Sequence, residues 1–404
     1  MKKILALLAA SLSVAACIYP YTPELEEAPE GVLSVDGNIC IGSTSIVRLG
    51  TLMSLWSTEW KPVDFSSARV WVEDDAGDEY PGTSDYGPSF GGSYFGTLTP
   101  SYTIDTRNAP RDRRYRLCVE ALGDRYATDW NDVLPPPRIR DISFSADEED
   151  VHVAVSVDGG EAGTGYALLS YDETWEFHAD YPLDFDVFTY DDNLDSEVDR
   201  IEVAEKQSTD WSKYWCWRSI DNRLLVPVDY TGRTEDGFSG YPLMSFSRRD
   251  SRNHRRYCIN VTAKSISKET YRFLHNLQEN TDGGDNLFTP NPGEIAGNLR
   301  CESNPERTVL GYAVFSFATS KRAFLDSRYR KAVRAATLVY PLQKDYVDLW
   351  KQGFLPLAEN DDPDYNPEEE GPYGWGAPRC YDCTAMGGTK TKPDYWDDSG
   401  LDDE

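Results

Sequence analysis

From Gly31 to about Leu134, short β-type stretches alternate with clusters of turn residues: GVLSVDGNICI, TSIVRLGTLM, ARVWVEDDAGDEY, YTIDTR and RRYRLCVEALGDRYATD. Val70 and Val72 alternate with Arg69, Trp71 and Glu73, the period of two that a half-buried strand requires, and Asp75-Ala76-Gly77-Asp78 supplies the turn that follows. Repeated short strands at this spacing predict an immunoglobulin-like antiparallel β-sandwich over 31–134. Pro135-Pro136-Pro137 then imposes a stiff, extended link, a natural domain boundary.

A second β-rich domain is expected over 138–356. In RIRDISFSADEEDVHVAVSVDGG, Val151, Val153, Val155 and Val157 share one face of a strand, and GYALLSYDETWEF, RRYCINVTAKS and TVLGYAVFSFATS continue the pattern. One stretch changes period. SISKETYRFLHNLQENTDGG offers Ser267 as N-cap, Glu269 in the first turn, Tyr271, Leu274 and Leu277 on one stripe, and a Gly283-Gly284 stop. This predicts a helix near 267–280 packed on sheet. RAFLDSRYRKAVRAATLVYP reads as a second helix, or a helix running into a strand. From about Leu357 to the end the chain is acidic and Pro/Gly-rich, a tail expected to be disordered or loosely laid on the surface, with Cys380 and Cys383 as its ordered point. The fold class is therefore mainly β, a sandwich followed by a β-rich domain with one or two helices.

The chain carries 69 acidic and 40 basic side chains, a net charge of −29. Nucleic-acid binding draws its affinity from Lys and Arg, so that partner is excluded. Four scattered His with no close pair argue against a histidine-built metal site. With 25 Tyr, 15 Phe and 11 Trp, the aromatic load suits strands and also a binding surface.

Lys2 and Lys3 precede an apolar run from Ile4 to Ala16, which reads as a secretory signal over 1–16, too short to span a bilayer. The run ends in Val14-Ala15-Ala16-Cys17, the pattern at which bacterial lipoproteins are acylated and cut. Acyl chains on Cys17, each burying methylenes at about 0.8 kcal/mol, would hold the protein on a membrane. Ile18 follows Cys17 where an acidic retention signal would stand, so the outer membrane, at the cell surface, is the expected destination, with 17–30 as a solvated tether.

Taken in order, the Cys17 start, GVLSVDGNI, SSARVWVEDDAGDEY, RRYRLCVEALGDRYATD, PPPRIRDISF, YDETWEF, Cys216-Trp217, SISKETYRFLHNLQENT, GEIAGNLRCESNPERTVLGYAVFSF and the closing CYDC…GG…PDYW identify a resemblance. The chain resembles a Bacteroidetes-type family of outer-membrane lipoproteins catalogued as a domain of unknown function and often encoded beside TonB-dependent receptors. The resemblance implies anchoring in the outer membrane and a role in uptake, and brings no catalytic residues.

With Cys17 acylated, Cys40, Cys118, Cys216, Cys258, Cys301, Cys380 and Cys383 lie outside the cytosol, where thiols oxidise. The chain offers no second Cys-x-x-Cys and no nearby His to complete a zinc site, and the Gly/Pro-rich setting does not suit a thioredoxin-type dithiol, so a structural staple is the expectation. Joining Cys380 to Cys383 would contribute only about 2 kcal/mol, whereas Cys40–Cys118 would contribute more than about 4. The expected bonds are Cys40–Cys118, Cys258–Cys301, and Cys216 with Cys380 or Cys383, one thiol being left over.

DDNLDSEVDRIE places oxygen ligands where a calcium loop wants them, at Asp191, Asn193, Asp195, Asp199 and Glu202. Ser196 stands where the sharp turn demands Gly, and no helix pattern precedes the loop, so a solvated loop is the expectation, with calcium as the alternative and no other cofactor. No phosphate-binding Gly loop stands beside a helix start, and Glu173 and Glu176, three apart on a strand, are expected to face opposite sides. The functional expectation is a membrane-anchored binding or accessory component of TonB-dependent uptake, taking a glycan or peptide ligand. A surface hydrolase, glycosidase or peptidase, and a purely structural envelope protein are the alternatives.

Overall fold

The computed structural model describes residues 32–52, 63–84, 100–233, 236–282, 297–332 and 335–396. The signal, Cys17 and the tether lie outside the described residues. The first sandwich begins with β1 (Leu33–Cys40), β2 (Thr44–Thr51), β3 (Arg69–Asp74), β4 (Glu79–Ser84), β5 (Ser101–Asp105), β6 (Arg114–Ala121), β7 (Asp124–Thr128) and β8 (Asn131–Asp132). Strict alternation turns Leu33, Val35 and Ile39 of β1 inward against Leu117 and Val119 of β6, with Tyr115 and Tyr126 filling the same core. The Tyr115 hydroxyl donates to the Pro110 carbonyl, a tyrosine corner of the kind immunoglobulin-like sandwiches use.

The second sandwich packs a sheet of β9 (Arg138–Ala146), β10 (Asp150–Asp158) and β15 (Gly237–Ser247) on one containing β11 (Tyr166–His178), β14 (Trp215–Asp229) and β16 (Arg256–Ser265). Val151, Val153, Val155 and Val157 all sit in its core, facing Leu169, Tyr257, Ile259 and Val261. Between β11 and β14, β12 (Leu183–Tyr190) and β13 (Arg200–Asp210) form a separate hairpin. Helix α1 (Lys268–Asp282) starts at Ser267, whose Oγ accepts from the Thr270 amide at 3.2 Å. Leu274 is buried with Leu168, Ile266 and Val314, and Tyr271 packs beside it, while Leu277 is exposed.

The domain boundaries depart from the sequence expectation. After α1 the chain returns to the first sandwich as β17 (Leu299–Cys301), on the edge beyond β7, and β18 (Val309–Ser316), which pairs in parallel with β1. It then crosses at Phe317 to β19 (Ala318–Asp326), which pairs with β16 in the second sandwich. The first sandwich is therefore closed by residues far outside 31–134. A strand pattern fixes which residues face inward but not which sheet receives them. Among the described residues the α-helix expected over RAFLDSRYRKAVRAATLVYP is not formed: its first residues finish β19, where pairing with β16 overrides their helical propensity.

The C-terminal segment is folded through Trp396, against the expectation of a loose tail. Helix α2 (Tyr346–Lys351), the paired strands β20 (Leu355–Glu359) and β21 (Tyr373–Gly376), and the single turn α3 (Pro378–Tyr381) lead into it. Trp375 is fully buried with Tyr346 and Ile201, and Leu357 and Tyr381 are buried with Leu183 of β12. A few widely spaced large side chains anchor this acidic stretch, a pattern that carries no periodicity.

Candidate functional site

The cysteines show what the fold brings together. Cys216 on β14 is bonded to Cys383, tying the C-terminal segment onto the second sandwich across 167 residues of chain. Cys40, Cys118, Cys258, Cys301 and Cys380 are free thiols. The expected Cys40–Cys118 bond cannot form, because Ile39, Leu117 and Val119 occupy the first core and alternation puts both cysteines on opposite outer faces. Cys258–Cys301 is ruled out too: Cys258 lies on β16 of the second sandwich and Cys301 in the core of the first. Burial pushes the thiols of Cys118 and Cys258 up to about 12, which keeps both protonated.

The residues of the alternative calcium reading sit at the tip of the β12–β13 hairpin and turn to their own loop. Asp191 accepts from the amides of Asp195 (3.2 Å) and Ser196 (2.8 Å), Asp199 from those of Asp192 (2.9 Å) and Asn193 (3.1 Å). Glu202, on β13, is engaged by Arg200 and by the Tyr190 hydroxyl. Among the described residues no group of three metal-ligating side chains forms here or elsewhere. Hairpin geometry, with Leu194 and Ser196 at positive φ, replaces the ligand-converging loop that a helix pair would supply.

The side chains that do converge lie where β11 ends beside β14, the turn before β16 and the disulfide. A cleft of about 390 Å³ opens there, lined by Phe177, His178, Asp180, Arg218, His254 and Arg379, with Ser251 and Met386 at its sides. The His178 ring stacks on Tyr214 (4.9 Å), meets Trp215 edge-on (5.1 Å) and packs against His254 (4.6 Å). Trp211, half exposed, adds an edge-on ring to Tyr214 at 4.8 Å. These rings form an aromatic patch beside the cleft, which it reaches at His178.

Hydrogen bonds fix the state of the imidazoles. His178 Nδ1 lies 2.6 Å from the Ala179 carbonyl, so it carries the proton, and Nε2 accepts from the Arg330 guanidinium at 3.1 Å. Burial lowers the pKa of His178, and Arg330 adds to the shift. His254 is driven down to about 4 by burial first, then by His178 and Arg330. Both rings are neutral at neutral pH.

The charges around them are unevenly satisfied. Glu173 points into the second sandwich, accepting from Arg252 (2.9 Å) and the Tyr257 hydroxyl (2.8 Å), and Glu176, on the other face of β11, pairs with Arg255 at 2.7 Å. Asp180 accepts from the Ala336 amide at 3.0 Å. Arg218 reaches only the Met386 carbonyl, at 3.5 Å, and lies over Trp175 at 5.7 Å. Among the described residues neither Arg218 nor Arg379 is in an ion pair. Ser251 Oγ accepts from Trp175 Nε1 at 3.1 Å, so the hydroxyl serves the indole. The arrangement can hold an anionic group between two guanidiniums with an aromatic wall alongside.

Sequence reasoning missed this site. The four His looked scattered because His178 and His254 are far apart in the chain, and only the pairing of β11 with β16 joins them. One signal was available: SRRDSRNHRRY carries five Arg in an otherwise acidic chain.

Two β-sandwiches joined through a returning strand, with an aromatic and cationic cleft at one end of the second, define the class of protein. The chain belongs to the family described as a domain of unknown function (DUF4249), whose model matches residues 18–322. Arg379, Met386 and Cys383 lie beyond that match, so one wall of the cleft is built by the C-terminal segment. No curated protein matches the chain. Among solved structures it is similar to trypsin-activated alpha-2-macroglobulin from Escherichia coli, at 11% identity and a TM-score of 0.18 over 60% of this chain and 15% of that one, an overlap too slight to bear on fold or function.

Proposed function

We propose that the chain is a lipoprotein, anchored in the outer membrane through acylated Cys17, that captures a small carboxylate-bearing peptide as an accessory component of TonB-dependent uptake. The observation that carries the capture is the pair Arg218 and Arg379, facing a cleft of ligand size without ion pairs, in a chain of net charge −29. The neutral imidazoles do not repel an anion, and the Trp211, Tyr214 and Trp215 rings beside the cleft suit the side chains of a short peptide. The leader ending in Val14-Ala15-Ala16-Cys17 supports the anchor, and the family resemblance supports the transporter.

Calorimetric titration of the detergent-solubilised chain with short peptides tests the reading. Peptides with a free C-terminus should bind, and their C-terminal amides should not. Arg218→Ala and Arg379→Ala should each weaken binding by about tenfold or more, the scale of losing one charge-assisted hydrogen bond. Equal binding of amide and acid would overturn it. For the placement, Cys17→Ser should abolish incorporation of labelled fatty acid, and the wild-type chain should co-purify with a TonB-dependent barrel.

A further inference from the structure

A second cavity lies elsewhere, between the two sandwiches, and holds about 540 Å³. Its walls follow from strand alternation. On β1, Leu33, Val35 and Ile39 point into the first core, so Asp36 and Asn38 point out of it. On β11, β14 and β16 the residues facing them are Asp172, Asp221, Thr262 and Lys264, from the outer face of the second sandwich. The two outer faces meet because β18 runs directly into β19.

The deepest of these side chains is Lys264, only 7% exposed. Removing an ammonium from water costs several kcal/mol unless its donors are satisfied. Among the described residues its one hydrogen bond goes to a neutral amide, Asn38 Oδ1, at 2.6 Å. An ammonium has three donors, so two remain for whatever fills the cavity. Asp172 accepts from Asn260 Nδ2 at 2.9 Å with one carboxylate oxygen, and Asp221 has no hydrogen bond or ion pair among the described residues.

We propose that this cavity is a neutral-saccharide site, distinct from the peptide cleft. Its carboxylates, Asp36, Asp172 and Asp221, face the cations Arg48 and Lys264, with Arg48 already on Asp36 at 3.4 Å. An anion would meet the carboxylates, and a cation would meet Lys264. Fixed donors and acceptors on short, planar groups match a ligand in which every hydroxyl both donates and accepts. The cavity's volume lies within the range of about 300–1,000 Å³ common for small-molecule sites. Since each sandwich supplies one wall, a bound saccharide would also link the two, adding to the Asn38–Lys264 bond.

Titration of the detergent-solubilised chain with maltose, cellobiose and diacetylchitobiose, read by calorimetry and saturation-transfer NMR, tests this. At least one should bind at millimolar concentration or tighter. Lys264→Met and the double change Asp172→Asn with Asp221→Asn should each weaken binding by about tenfold or more, and Arg379→Ala should leave it unchanged. Should Lys264→Met fail to fold by circular dichroism, the Asp172/Asp221 variant decides, because Asp221 is exposed. No binding of any of the three sugars, or binding unchanged by that double variant, overturns the proposal, whatever the peptides do at the other cleft.

Discussion

His254 sits against His178 and below Arg330, and burial holds its pKa near 4 in place of the ordinary 6.5. The unfolded chain takes up a proton as the pH falls through 6.5, whereas the folded chain does not until about 4. Stability linked to this ring is therefore complete above 6.5 and lost progressively towards 4, at most about 3 kcal/mol at 1.36 kcal/mol per pKa unit. Urea titrations at pH 7 and pH 5 should show the loss beginning, and His254→Gln should flatten it; a slope unchanged in the variant refutes the assignment. None of this was legible in the sequence. A histidine's environment is set by what folds over it, and here the cover comes from β11 and from the segment after β19. The two arginines of the cleft were hidden for the same reason, Arg379 being held there by the buried Tyr381 beside it and by the Cys216–Cys383 bond.

Among the elements, β18 depends most on a single backbone position. Gly311 has φ +111, and a Cβ there would stand 1.8 Å from the Val35 carbonyl oxygen of β1. Gly311→Ala should cost at least about 2 kcal/mol, combining a left-handed backbone with a clash against main chain, and urea unfolding should record it. Periodicity did reveal α1, since an N-cap, an acidic first turn and an apolar stripe are local and survive without tertiary context. It failed for residues 322–326, where helix-forming residues are held as strand by the ladder to β16. It also failed for the C-terminal segment. There, single large side chains such as Trp375 fill pre-existing hollows, so no repeating pattern is needed. Trp375→Ala should cost about 3–5 kcal/mol, the scale for deleting a fully buried aromatic, measured as a shift in the urea midpoint.

For the whole molecule, the Cys216–Cys383 bond reinforces the backbone pair between Trp217 and Thr389 that lays the C-terminal segment on the second sandwich. Closing 167 residues of chain contributes about 5 kcal/mol in the entropy model. Cys383→Ala should make residues 377–396 the first site of limited proteolysis, and should weaken peptide capture by displacing Arg379 and Met386. Capture unaffected by that change would mean the cleft does not need its C-terminal wall. No helix among the described residues is long and apolar enough to cross a membrane, so the proposed anchoring rests on Cys17.

The sequence by itself determined the mainly β class, the alternation that selects each core face, the one amphipathic helix and the leader pattern. These are properties of short windows, where side-chain period and backbone preference act between neighbours. Only the tertiary structure decided that β18 returns to pair with β1, which cysteine meets which, and that two arginines and two imidazoles share a cleft. Strand pairing, disulfide geometry and cavities join residues distant in the chain, and alternation is equally satisfied by many partners until packing selects one.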